Sequence, residues 1–174
     1  AMIEKIEQID LPNGCVGRIG IDYDIEPPIV DVKIAYLSRS RYVLGNEPMS
    51  PDRLDELYAD IRSGAIIGLP VYAYVHGDVA LSCKPFPCPW DSGQSGAVYI
   101  DPDLVGYMSR DDVLKMLRGA VDEFAAYLRG ECYWFEVVDK DGEVVDSCGG
   151  FIGNESINYI KSLMFDAANA MSEA

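Results

Sequence analysis

The chain has 174 residues, 49% of them hydrophobic and 25% charged. That composition fits one globular domain spanning residues 1–174 and excludes disordered, collagen-like and coiled-coil chains. The abnormal quantity is charge: 29 acidic residues against 14 basic ones leave a net −15. Such a surface repels phosphate backbones and anionic lipid, so neither nucleic acid nor membrane is an expected direct partner.

No run approaches the roughly 18 apolar residues of a membrane-spanning helix. The segment Met2–Gln8 has no apolar signal region, and Ala1 ahead of Met2 reads as an expression-tag residue. Strands are expected at Cys15–Asp22 and Ile29–Tyr36, joined through Pro27-Pro28. In the second, Val30, Val32, Ile34 and Tyr36 alternate with Asp31 and Lys33, the period-2 pattern of a half-buried strand. Arg41–Leu44 is expected as a short third strand. Ser50-Pro51-Asp52 then opens a helix, with Ser as N-cap, Pro at the first position and an acid at the positive dipole end. Its apolar face is Leu54, Leu57, Tyr58 and Ile61, and Gly64 ends it.

Leu69–His76 and Asp78–Ser82 read as a hairpin around Gly77, followed by a proline-rich loop, Lys84–Gly96, and a strand, Ala97–Asp101. A long helix starts at Ser109 and buries Val113, Met116, Leu117, Ala120, Val121, Phe124 and Leu128 before Gly130. Glu131–Val138 and Glu143–Ser147 form a second hairpin over Asp139-Lys140-Asp141-Gly142. A last helix begins near Ser156, capped by Asn154, with Ile157, Ile160, Met164, Ala167 and Met171 inward. Hairpins dominate and no strand–helix–strand rhythm recurs. The expected fold is therefore α+β, a mainly antiparallel sheet with about three helices packed mostly on one face.

The densest chemistry lies at Cys88-Pro89-Trp90-Asp91-Ser92-Gly93-Gln94-Ser95-Gly96. A thiol, a carboxylate, a hydroxyl and an amide on one loop suit a polar site, and Trp90, Asp91, Ser92 and Gln94 are its candidate residues. The plainer account is a structured turn whose side chains satisfy backbone donors. This loop is expected to fold against the His76 turn and the Ser147-Cys148 segment. His76 is the sole histidine. With Cys88 or Cys148 as nucleophile and Asp91 orienting the ring, it would make a small cysteine-dependent hydrolase or transferase. A Cys₃His zinc site from His76, Cys83, Cys88 and Cys148 is disfavoured, because only Cys83 and Cys88 are closely spaced. Asp139–Glu143 lacks the acid spacing of a calcium loop. No phosphate loop or dinucleotide fingerprint is present, so no cofactor and no metal is expected. Five irregularly placed cysteines, Cys15, Cys83, Cys88, Cys132 and Cys148, suit reduced thiols in a cytoplasm. Tyr72 and Tyr74 share one strand face, which suits either a core edge or an interface.

The run from Tyr74-Val75-His76 through Cys88-Pro89-Trp90-Asp91-Ser92-Gly93-Gln94-x-Gly96, then Asp146-Ser147-Cys148 and Phe151-x-Gly153, resembles a family of small phage and mobile-element proteins. The resemblance covers the C-terminal two-thirds and brings no activity with it. Gly149 stands where the resemblance implies an aromatic residue.

Charge supplies the functional expectation. Residues 1–87 hold 13 acids and 8 bases, whereas residues 88–174 hold 16 and 6. Asp101, Asp103, Asp111, Asp112, Asp122 and Glu123 are the candidate partner-binding carboxylates, several of them along one helix. Carboxylates at fixed spacing can stand in for phosphates. The expectation is a non-enzymatic inhibitor of a basic, nucleic-acid-binding host defence enzyme, of the anti-restriction or anti-CRISPR kind.

Overall fold

The computed structural model describes residues 5–28, 31–87 and 92–171. Over these described residues it is α+β, with three helices and nine strands in two sheets whose pairing is antiparallel except at one short strand. The chain gathers into two compact units: Ala1–Glu26 with Gly130–Ala174, and Pro27–Arg129.

The first unit is made from both ends of the chain. Strands β1 (Lys5–Asp10) and β2 (Val16–Ile21) pair with β8 (Cys132–Val138) and β9 (Val144–Ile152) in the order β1-β2-β8-β9. Helix α3 (Ser156–Ala170) covers one face. Period 2 on the strands meets the helical repeat there: Ile19, Phe135 and Val137 pack with Ile160, Met164 and Ala168, at i, i+4 and i+8. Each fully buried side chain of this size stabilises by about 1.5–3 kcal/mol. Gly17 permits the close approach, since a Cβ there would lie 2.9 Å from the Met164 sulfur.

In the second unit the sheet order is β4-β3-β7-β5-β6: β4 (Glu47–Met49), β3 (Lys33–Leu37), β7 (Ser92–Ile100), β5 (Ile67–His76) and β6 (Asp78–Ser82). Ile34 and Val98 face α2 (Arg110–Leu128), while their neighbours Ala35 and Ala97 face α1 (Pro51–Ser63). Helices thus cover both faces of this sheet, and the three helices are divided among three sheet faces. Both helices begin as expected: Ser50 Oγ accepts from Arg53 N–H, and Ser109 Oγ from Asp112 N–H. Gly64 closes α1 at φ 85°.

Several boundaries differ from the sequence reading. β1 was not anticipated, and the strands at either side of Pro27-Pro28 belong to different sheets. Arg41–Leu44 is not a strand; Glu47–Met49 is, parallel to β3. Asn46 explains the shift, because its Oδ1 accepts from Ile34 N–H at 2.7 Å and its Nδ2 donates to Val32 O at 3.4 Å. A side chain thus does the work of backbone pairing and the ladder starts one residue later.

Ser92–Gly96, expected as loop, is the first half of β7. Gly96 is pressed against the Ala35 carbonyl, where a Cβ would overlap the oxygen. Ser92, Gly93 and Gln94 pair with Tyr74, Ala73 and Tyr72. Likewise β9 runs to Ile152 rather than stopping at Ser147. Asn154 does not cap α3 with its side chain. It accepts from the Tyr133 hydroxyl and donates to Glu131 Oε1 at 2.7 Å, while Glu155 holds the N-cap position. Ala168 takes the buried position beside Ala167, and Met171 is exposed.

Candidate functional site

His76 ends β5 in the second unit, exposed, its ring 6.2 Å from that of Tyr74. Cys148 lies on β9 in the first unit, also exposed. Cys88, Trp90 and Asp91 lie outside the described residues, and with them the expected packing of that loop. The remaining described cysteines are poor nucleophiles. Cys15 and Cys132 are buried. Burial first, then Asp22 and Glu131, raises the Cys132 thiol. Burial and Asp122 raise the Cys83 thiol against the pull of Arg118. A raised thiol stays protonated and unreactive at neutral pH. Among the described residues no three His, Cys, Asp or Glu side chains are placed to hold a metal ion.

The motif residue Gln94 has a definite place. It is exposed on the α1 side of β7, beside the Tyr58 phenol. Burial and the Asp55 carboxylate hold that phenol above its ordinary range. Gln94 and Tyr58 form the shared wall of two small clefts, of about 250 and 240 Å³. Arg39 lines one and Arg62 the other. Ser95 is the extra residue where the β5–β7 register shifts, and its hydroxyl donates to Val71 O at 3.3 Å. These interactions settle the packing of β7 against α1 and β5. They bring no base to a nucleophile.

The six candidate carboxylates are all exposed and all belong to the second unit. Asp101 Oδ1 accepts from Asp103 N–H at 2.9 Å, so Asp101 caps the short 3₁₀ turn Pro102–Leu104. Asp111 and Asp112 occupy the first turn of α2, where the helix dipole favours acids. Along that helix Asp111 and Asp122 share a flank with Lys115 and Arg118, at i+4 and i+7 from Asp111. The four acids of α2 therefore share the helix with three bases, Arg110 included, and produce little field of one sign.

The field comes from elsewhere. The first unit holds 15 acidic and 4 basic residues, a net −11, whereas the second holds 14 and 10, a net −4. Two of the first unit's four bases are engaged locally: Arg18 with Glu136 and Lys161 with Glu7, each at 3.0 Å. Between Glu131 and Asp146 there are six acids and one base. Of these, Asp141, Glu143 and Asp146 are exposed around the β8–β9 turn. Asp139 is half-buried and structural, its Oδ1 accepting from the N–H groups of Asp141 and Glu143. Dividing the sequence at its midpoint hid this concentration, because the acidic unit is assembled from both termini. Charge counted per hairpin would have found it.

Among the described residues no helix is long and apolar enough to cross a membrane. Compared with known protein families, curated proteins and solved structures, the chain matches none.

Proposed function

We propose that the protein acts without catalysis, by presenting its acidic unit to a basic, nucleic-acid-binding surface of another protein. The observation that carries this reading is the charge division: a net −11 on 71 residues beside −4 on the remaining 103. Exposed carboxylates on a four-stranded sheet and its hairpin turn keep fixed spacing, and their potentials add over a surface that spans several phosphate positions. The partner class, a host defence enzyme in the cytoplasm that handles nucleic acid, follows from the resemblance to phage and mobile-element proteins. The binding surface proposed here is the β8–β9 turn with its neighbour Asp10, which pairs with Val16 beside Val138, in place of the α2 carboxylates.

The test is competition. A partner is captured from host extract, eluted with increasing salt and loaded with labelled DNA or RNA. Wild-type protein is expected to displace the nucleic acid and to bind neither nucleic acid itself. Reversing Asp141, Glu143 and Asp146 to Lys is expected to slow association at least tenfold at low salt, with a smaller change in dissociation. Reversing Asp111, Asp112 and Glu123 is expected to do far less. Equal effects from the two triple variants would remove the first unit from the reading. An activity lost in Cys148→Ala with the fold intact would replace it with a cysteine enzyme.

A further inference from the structure

A cleft of about 540 Å³ opens in the second unit between the end of α2 and the connection that follows β3. It is within the size range of small-molecule sites and has the composition they usually have, apolar walls with few polar groups. Phe124, Tyr127 and Leu128 form one side, Val43 and Asn46 the other, and Lys33 lies at its margin. The rings of Phe124 and Tyr127 are tilted at 51° with centroids 5.8 Å apart, a fixed aromatic surface. Val43 is 61% exposed, an apolar side chain at the rim with little of the protein over it.

The ionic character of this cleft is opposite to that of the chain. Among the described residues no carboxylate lines it, and Lys33 is their one charged wall residue. Among the described residues the Lys33 ammonium makes no ion pair or hydrogen bond. Asn46 is already committed to Ile34 N–H and Val32 O, so it is wall rather than recognition. The nearby C-terminal end of α2 carries about half a negative charge, which falls off within the last turn and is outweighed by a full ammonium.

We propose that this cleft binds a small amphipathic monoanion. The carboxylate would pair with Lys33, and a short aliphatic or aromatic body would lie against Phe124, Tyr127, Leu128 and Val43. A neutral amphiphile would gain only the apolar contact. A cationic one would meet Lys33 with like charge. The site is independent of the acidic unit and of the partner proposed for it.

Amide chemical-shift titrations of the full chain with octanoate, 1-octanol and octylammonium test the assignment. Octanoate is expected to shift Lys33, Val43, Gly45, Phe124, Tyr127 and Leu128 together and to leave the first unit unmoved. Octylammonium is expected to bind at least tenfold more weakly, a comparison that needs no variant. Lys33→Met keeps the apolar stem and removes the charge. It is expected to weaken octanoate five- to tenfold and to leave 1-octanol unchanged. Octylammonium binding as tightly as octanoate, octanoate affinity unaltered in Lys33→Met, or shifts centred away from these residues would each overturn the proposal.

Discussion

The Tyr99 hydroxyl donates a 2.6 Å hydrogen bond to Glu47 Oε2, reaching across β3 from the middle of the sheet to its short parallel edge strand. β4 has three residues, so backbone pairing alone holds it weakly, and this contact adds a charge-assisted anchor. Burial first, then the hydrogen bond and charge of Glu47, holds the phenol above its ordinary range, against the pull of Arg53.

Tyr99→Phe is expected to lower stability by about 1.5–3 kcal/mol, as for a hydrogen bond to a charged acceptor. The pH dependence has a defined sign. Below pH 10 the phenol is protonated in both states and the contact contributes in full. Above pH 10 the unfolded phenol ionises while the folded one stays protonated, so stability falls as pH rises towards the folded value. Urea titrations between pH 9 and 11 are expected to show a steeper fall for wild type than for Tyr99→Phe. Parallel curves would show that Tyr99 does not stay protonated in the folded state.

Two glycines of the same motif should answer differently to a methyl group. A Cβ on Gly96 would overlap the Ala35 carbonyl oxygen, whereas one on Gly93 meets nothing within 4 Å. Gly96→Ala is expected to cost about 3 kcal/mol, the upper end of overpacking. Gly93→Ala is expected to change stability by less than about 0.5 kcal/mol. Chemical denaturation of the two variants checks the contrast, and similar values for both would refute the placement of β7 beside β3.

These two positions also mark where sequence reading stops. Helices α1 and α2 were legible because their signals are local: Ser50 and Ser109 as caps, Gly64 as terminator, and Leu54/Leu57 or Val113/Leu117/Val121 at helical spacing. Ser92–Gly96 reads as loop because Ser, Gly and Gln have little strand propensity. What makes it a strand is pairing with Tyr72–Tyr74 of β5, some twenty residues earlier, and the seat of Gly96 against Ala35, some sixty residues earlier, contacts that no local window contains. The same holds for β4, whose start depends on Asn46 bonding to Ile34 and Val32. The acidic unit as a whole exists only once the two termini share a sheet, although the Glu131–Asp146 hairpin that carries much of its charge is local. Gln94 was legible as a residue to watch, but its neighbour Tyr58 lies on another element.

Asn46 can be tested directly. Ile34 is 2% exposed, so removing the side-chain oxygen that accepts its N–H strands a buried donor. Asn46→Ala is expected to cost about 1–3 kcal/mol. Asn46→Asp keeps the acceptor and loses only the longer bond to Val32 O, so it should retain most of that stability near neutral pH. Thermal melts of the pair separate the two roles, and equal losses would show that the acceptor is not what matters.

Cys148 is exposed on β9, while Cys15 and Cys132 are each 2% exposed. Cys83 is half-buried, with a raised thiol that keeps it from forming the reactive thiolate. In a Cys88→Ser background, the folded protein is therefore expected to give one fast equivalent with an aromatic disulfide reagent at pH 8. The other three should react only as the chain opens, at rates that rise with denaturant. Cys148→Ser should remove the fast phase and leave the melting temperature unchanged, because the residue is exposed and outside the core of the first unit. Two or more fast equivalents would mean that the first unit's core, or the wall around Cys83, opens far more readily than its packing implies. The absence of a fast phase would mean that β9 is covered in solution, and the acidic hairpin beside it would then be covered too.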